Sequence, residues 1–223
     1  MNRQIEIRSL FDLDRTIAAG LFEGKRYPWE VLGEIKGFIL RLGETLDPEK
    51  FDHPAPDIWI AKDAKIAPTA CLNGPLIVDE GAELRHCAFV RGSAVVGKGA
   101  VVGNSVELKN CVLFDGAQVP HFNYVGDSVL GWKAHMGAGA VTSNVKSDKR
   151  NVVVHAGEGI ETGLRKLGAM VGDRAEVGCN SVLNPGTVIG RDCIVYPTSC
   201  VRGVIPENHI YKGADGVVVR KGI

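Results

Sequence analysis

From Ile60 onward every sixth residue is large and apolar: Ile60, Ile66, Leu72, Val78, Leu84, Val90, Val96, Val102, Leu108 and Phe114. Ten such residues in ten beats arise by chance on the order of 10⁻⁵ of the time if that class fills roughly a third of the chain. Two residues before many beats stands an alanine: Ala64, Ala70, Ala82, Ala88, Ala94 and Ala100. A period of six fits neither the 3.6 of a helix nor the 2.0 of a strand. It marks a parallel β-helix, in which each hexad supplies one short strand and one corner. The large residue points inward and the small one lets the chain turn. Three hexads close a triangular coil, so residues 18 apart stack at the spacing of paired strands, about 4.8 Å.

The rhythm returns at shifted phases, through Leu130 and Met136 and then through Val171, Val177, Leu183, Ile189, Val195 and Val201. The slips therefore fall near 115–129 and 143–170. The second slip holds a polar run and a glycine-rich run, Gly157-Glu-Gly-Ile-Glu-Thr-Gly163. It reads as a loop inserted near 144–170 that projects from the prism, the kind of place where function sits on a stiff scaffold. Residues 1–55 do not keep the rhythm. Ser9 to Leu21 reads as a helix capped by Ser9, and Pro28 to Leu40 as a second, with Pro28 in its first turn. This helical extension is expected to cover the open N-terminal end of a prism spanning 56–212, because an open coil exposes unpaired strand edges, or else to form a dimer or trimer contact. Residues 213–223 form a tail.

The 223 residues carry 26 basic and 26 acidic side chains. That balance gives no electrostatic case for a nucleic-acid or membrane partner. No apolar run approaches the length of a membrane span, roughly 18 residues or more, and the N-terminus lacks a signal-peptide core. A soluble, cytoplasmic chain is expected. The six cysteines form no C-x-x-C pair, and in a cytosolic chain they read as buried thiols.

Two cations break the neutral picture locally. Arg91 and Lys109 each follow an inward beat and stand 18 apart, one coil above the other. At about 5 Å they repel by roughly 1 kcal/mol in water. They either splay into solvent or share an anion, for which a planar guanidinium fork and an ammonium suit a phosphate. Twelve residues on, in a Pro-His-Phe-Asn-Tyr turn, comes His121. Its imidazole titrates near neutral pH, as a general base must.

The motif His121-Phe-Asn-Tyr124-Val-Gly126-Asp127, with Met136-Gly137-Ala138-Gly139 and then Asn144, resembles the C-terminal acetyltransferase domain of bacterial bifunctional N-acetylglucosamine-1-phosphate uridylyltransferases. The resemblance runs from about 85 to 205. It implies a left-handed coil, an exception to the right-handed crossover rule. It also implies a homotrimer that moves an acetyl group from acetyl-CoA, as co-substrate, to the amine of a sugar-1-phosphate such as glucosamine-1-phosphate, without a metal. His121 falls at the family's general base, Arg91 and Lys109 at its phosphate ligands, and Tyr124 at its sugar contact. His135 and Asn144 are expected to line the pocket, with Arg150 as a loose match to a basic loop residue. Gly137 and Ala138 would offer backbone N–H groups to the thioester oxygen, and Cys179 and Asn180 would flank CoA. The match has departures: His135 replaces an asparagine, Val145 a tyrosine and Cys179 a serine.

Other functions remain open. A trimeric sugar-nucleotide-binding module without catalysis uses the same prism. So does a zinc enzyme like γ-carbonic anhydrase, which needs three histidines at one edge. His86 and His121 have one suitable spacing, but Gly126 and Asp127 stand where the third histidine belongs. His53, His86, His155 and His209 read as structural or solvated. The segment 1–55 carries no glycine-rich nucleotide loop bearing Arg and Lys, and no G-x-x-x-x-G-K-[ST] segment occurs in the sequence.

Overall fold

The computed structural model describes residues 2–220, apart from the side chains of Asn2 and Ala214. It is mostly β, a solenoid of stacked three-sided coils with few helices. Ile60 pairs with Val78, Ile66 with Leu84 and Leu72 with Val90, in each case one full coil on. The beats from Val78 to Leu108 are fully buried in one continuous core, together with Ala82, Ala88, Ala94 and Ala100.

Three faces result. Face one stacks Leu76–Val78, Ala94–Val96, Ala169–Val171 and Thr187–Ile189; face two stacks Glu83–Leu84, Val101–Asn104, Gln118–His121, His135–Met136 and Glu176–Val177. Face three stacks Phe89–Val90, Val141–Thr142, Val182–Leu183 and Cys200–Val201. The corners turn on left-handed residues. Between faces two and three these are Cys87, Ser105, Phe122, Gly139, Asn180 and Thr198, with φ from 52° to 72°.

Two strands do not stop at the corner. Glu107–Leu113 and Tyr124–Leu130 each run from face three onto face one. Leu108 to Leu113 and Val125 to Leu130 are steps of five, and the stacking interval drops from 18 to 17. The tenth beat is therefore Leu113, which fills the prism core, whereas Phe114 faces outward against Phe11 and Phe22. The first slip thus begins earlier than the sequence pattern places it.

The N-terminal extension is less helical than its pattern suggests. Ile7–Leu10 and Ile35–Gly43 are α-helical, and Leu13–Arg15, Ala19–Phe22 and Pro28–Val31 are single 3₁₀ turns. Packing rather than helical periodicity shapes it. Its last strand, Phe51–Ala55, pairs antiparallel with Ile58–Ala61 and covers the N-terminal edge of face one, but the rest of the extension does not sit over that end. It lies along face one, whose outward residues Ile77, Val95, Val112, Val129 and Met170 pack with Ile5, Leu10, Ile35 and Ile39. Face one is consequently apolar on both sides, as buried parallel sheets are. Backbone bonds fix the dock: Asp173 N–H donates to Leu10 O, and Asp115 N–H to Arg15 O.

The inserted segment lies back on the prism instead of projecting. A hairpin of Val153–Ala156 and Glu158–Glu161 buries Val152, Val154 and Ala156 in the same apolar layer as Val188. Its base is tied by Leu167 N–H to Asn144 O and by Gly168 N–H to Asp127 O. The cysteines divide: Cys111 and Cys193 are buried, whereas Cys71, Cys87, Cys179 and Cys200 are exposed because they fall on corners and outward positions. No helix is long and apolar enough to cross a membrane among the described residues.

Candidate functional site

Arg91 and Lys109 are vertical neighbours on face three, as their spacing predicts, with Val90 beside Leu108 and Arg91 N–H donating to Leu108 O. Their repulsion is relieved inside the protein. Arg91 Nη1 donates to Glu107 Oε1 at 2.8 Å, and Lys109 Nζ to both Asp127 oxygens at 2.9 and 3.1 Å. The Glu107 carboxylate raises the Arg91 guanidinium above its already high value. Neither cation is exhausted. A guanidinium has five N–H donors and an ammonium three, so some donors remain on each for a phosphate.

Asp127 is the hub of the cluster. Its side chain is 5% exposed and accepts from Lys109, from Asn110 Nδ2 at 2.9 Å and from Asn144 Nδ2 at 2.6 Å. Asn144 also donates to the Tyr124 hydroxyl at 3.2 Å. Gly126 permits this, because a Cβ there would collide with the Tyr124 phenol oxygen. The ring therefore lies along the strand over bare backbone. Burial pushes the Tyr124 phenol above its usual range, with the Asn144 bond opposing. Asp127 and Asn110 both adopt positive φ, 48° and 51°, a region that Asn and Asp tolerate best after glycine.

His121 stands at the corner just before Tyr124. Asn123, 3% exposed, staples that corner. Its Oδ1 accepts from His121 N–H, and its Nδ2 donates to Gly137 O and Ala140 O. The imidazole is exposed and makes no hydrogen bond among the described residues. Stacked beyond it on the same corner are Ala138 and Cys179: Gly139 N–H donates to His121 O, and Asn180 N–H to Ala138 O. The Gly137 N–H is spent on Val177 O, whereas the Ala138 N–H makes no hydrogen bond among the described residues. Of the two, Ala138 is the one with a donor to offer. Face three is about three residues wide, roughly 10 Å, so a hexose phosphate could lie between the His121 corner and the Lys109 edge.

Two predicted residues lie elsewhere. His135 is on face two, with its Nδ1 2.9 Å from Glu176 Oε2, because its strand places it three residues before the Ala138 corner. Arg150 is bound to Asp148 in the loop, with its side chain 81% exposed. The sequence reading missed Glu107, Asn110 and Asn123, and gave Asp127 no role. Asp127 follows Gly126, the residue stacked on Lys109, and so sits one coil beyond Asn110. Among the described residues no three His, Cys, Asp or Glu side chains gather into a metal-sized group.

A family model described as the GMPPB C-terminal domain matches residues 55–163. The bifunctional protein GlmU of Methanococcus maripaludis is 29% identical over 208 residues, covering 84% of this chain and 51% of the relative. A bifunctional sugar-1-phosphate nucleotidylyltransferase/acetyltransferase of Sulfurisphaera tokodaii is 30% identical over 63% of this chain and 40% of its own length. This chain spans about half the length of the GlmU relatives it matches over most of its own. Among solved structures, the acetyltransferase domain of PglB from Neisseria gonorrhoeae with acetyl coenzyme A is 15% identical, at a TM-score of 0.38, over 88% of this chain and 80% of that one.

Proposed function

We propose that this chain, a homologue of the bifunctional GlmU proteins whose matches fit their C-terminal hexapeptide-repeat acetyltransferase domain, transfers an acetyl group from acetyl-CoA to the amine of a sugar-1-phosphate. The observation that carries the reading is one adjacency. A corner whose imidazole and Ala138 N–H make no hydrogen bond among the described residues borders a face on which two cations, a phenol and an amide converge. The remaining donors of Arg91 and Lys109 take the phosphate. Tyr124 and Asn144 face the sugar. The amine attacks the thioester carbonyl, and His121 accepts the amine proton, an effect worth about 10²- to 10⁴-fold. The developing oxyanion meets the Ala138 N–H. The C–S bond breaks, and His121 returns the proton to the departing thiolate. CoA runs along the corner past Gly137, Ala138, Cys179 and Asn180.

The chain works as a homotrimer in the cytoplasm on this reading. Exposed Phe89, Phe122 and Val182 border the site and suit a second copy that closes it. His135 and Arg150 have no part unless that copy supplies them.

A free-thiol assay of acetyl-CoA against a panel of sugar-1-phosphates tests the proposal. Thiol release with an amino-sugar phosphate, abolished in His121→Ala while the oligomer persists, supports it. No release with any acceptor, or unchanged turnover in that variant, refutes it. The internal pairing of both cations favours one rival, a binding module without catalysis, and calorimetric titration of acetyl-CoA separates the two.

A further inference from the structure

The column that carries Lys109 continues along the prism through Gly126, Ser143 and Asn184 to Arg202. Arg202 is four coils from Lys109, about 19 Å, too far for one phosphate to serve both. At that end the inserted hairpin leans over the prism and encloses a cleft of about 480 Å³. This is within the range of small-molecule sites.

Three residues with cation-capable side chains line the cleft from three separate elements: Lys146 from the loop, His155 from the hairpin and Arg202 from the coil. Arg202 and His155 make no side-chain hydrogen bond or ion pair among the described residues. Lys146 is 3.4 Å from both Asp148 Oδ2 and Asn151 O. Asp148 is the one carboxylate on the wall, and hydrogen bonds from Arg150, with a smaller part from Lys146, hold it below the usual range. The remaining wall includes Val145, Val153 and Pro185, with the Asn184 amide beside them. An arginine and an imidazole that are unpartnered among the described residues, next to an apolar wall, suit an anion that carries a flat apolar group.

We propose that this cleft is a second ligand site, which takes a phosphate ester bearing a ring. The phosphate lies between Arg202, His155 and Lys146, and the ring rests on Val145, Val153 and Pro185. The site is independent of the acetyl-transfer reading. Two residues of its wall, Ser143 and Val145, flank Asn144 in the chain.

The test is calorimetric titration with phenyl phosphate, with inorganic phosphate as the arm that lacks the ring. Three proteins are compared: the unaltered chain, Arg202→Ala/His155→Ala, and Arg91→Ala. Phenyl phosphate is expected to bind more tightly than inorganic phosphate, to lose about tenfold or more in affinity in the double variant, and to stay within about twofold in Arg91→Ala. Both altered side chains belong to exposed residues and are unbonded among the described residues, so the fold should survive, and an unchanged thermal midpoint without ligand verifies that. Binding that survives in the double variant, binding that disappears with Arg91 instead, or no binding by the unaltered chain at about 10 mM would each overturn the proposal. The Arg91-dependent outcome would place the ester at the acetyl-transfer site and leave that reading intact.

Discussion

Asp127→Ala removes the acceptor that three donors share: Lys109 Nζ, Asn110 Nδ2 and Asn144 Nδ2. A donor left unsatisfied in the interior costs about 1–3 kcal/mol, and breaking a buried ion pair from one side about 3–5 kcal/mol. The Lys109 side chain is 26% exposed and both amides are half-buried, so water recovers part of each loss. The expected cost is about 3–5 kcal/mol in all, or about 2–4 °C of melting temperature per kcal/mol in a chain of this length. Asp127→Asn keeps an acceptor for one amide and should cost about half as much. A double-mutant cycle with Lys109→Met isolates the ion pair, and contact of this kind gives a coupling of about 1–3 kcal/mol. The assay is urea denaturation of all four proteins. A cost below about 1 kcal/mol for Asp127→Ala, or additive costs in the cycle, would show that the hub does not hold the cluster.

Two further perturbations probe the scaffold. Phe114 is fully buried between Phe11 and Phe22, with ring centroids 5.2 and 5.6 Å away. Phe114→Ala should cost about 3–5 kcal/mol and should expose the N-terminal extension to protease before the coils. Cleavage within the coils first would contradict the dock described above. The Asp173 carboxyl is held above its ordinary value of 3.8 chiefly by burial, against hydrogen bonds from Trp132 and Asp12 N–H. A carboxyl with a raised folded value contributes stability that is full below its unfolded value and is lost as pH rises through the folded one. Asp173→Asn, which does not titrate, should therefore cost more at about pH 3.5 than at neutral pH. Equal costs from urea midpoints at the two pH values would remove that assignment.

The prism core was legible because an inward position in a narrow coil demands a large apolar residue every time. The corner at Leu113–Phe114 was not, and the reason is physical. Face one is buried on both sides, so apolarity no longer separates inside from outside there. The six-residue count selects Phe114, and nothing in its apolarity marks it as the outward one of the two. The triplets Leu76-Ile77-Val78, Ala94-Val95-Val96 and Cys111-Val112-Leu113 carry the missing signal: an outward residue that stays apolar at each turn must be covered. That pattern places the extension along face one without reference to its own helical periodicity. At the site, Lys109 to Asp127 has the same 18-residue spacing as the ion pairs Glu80 to Lys98 and Arg174 to Asp192, although the shortened coil stacks Lys109 on Gly126 and brings Asp127 in from the next position. The Tyr124–Asn144 bond was not readable, because it depends on the shortened step and on how the inserted segment leaves the coil.

The paired charges bear on how the site treats an acceptor. Arg91 with Glu107 and Lys109 with Asp127 sum to zero, so a phosphate arriving from solvent meets little net field. It is recognised at short range by leftover N–H donors. Screening by salt acts mainly on net charge over distances near the Debye length, about 10 Å at 0.1 M. The KM for a phosphorylated acceptor should therefore change little with ionic strength. Glu107→Gln alters this directly, because it gives the face a net positive charge and frees Arg91 Nη1, now bound at 2.8 Å. That variant should bind phosphate more tightly at low salt and acquire a salt dependence that the unaltered chain lacks. Steady-state kinetics over a range of added sodium chloride, with both proteins, give the comparison. A steep salt dependence already present in the unaltered chain would mean that the carboxylates do not balance the cations. Weaker phosphate binding in Glu107→Gln would mean that Glu107 positions the guanidinium rather than competing for it.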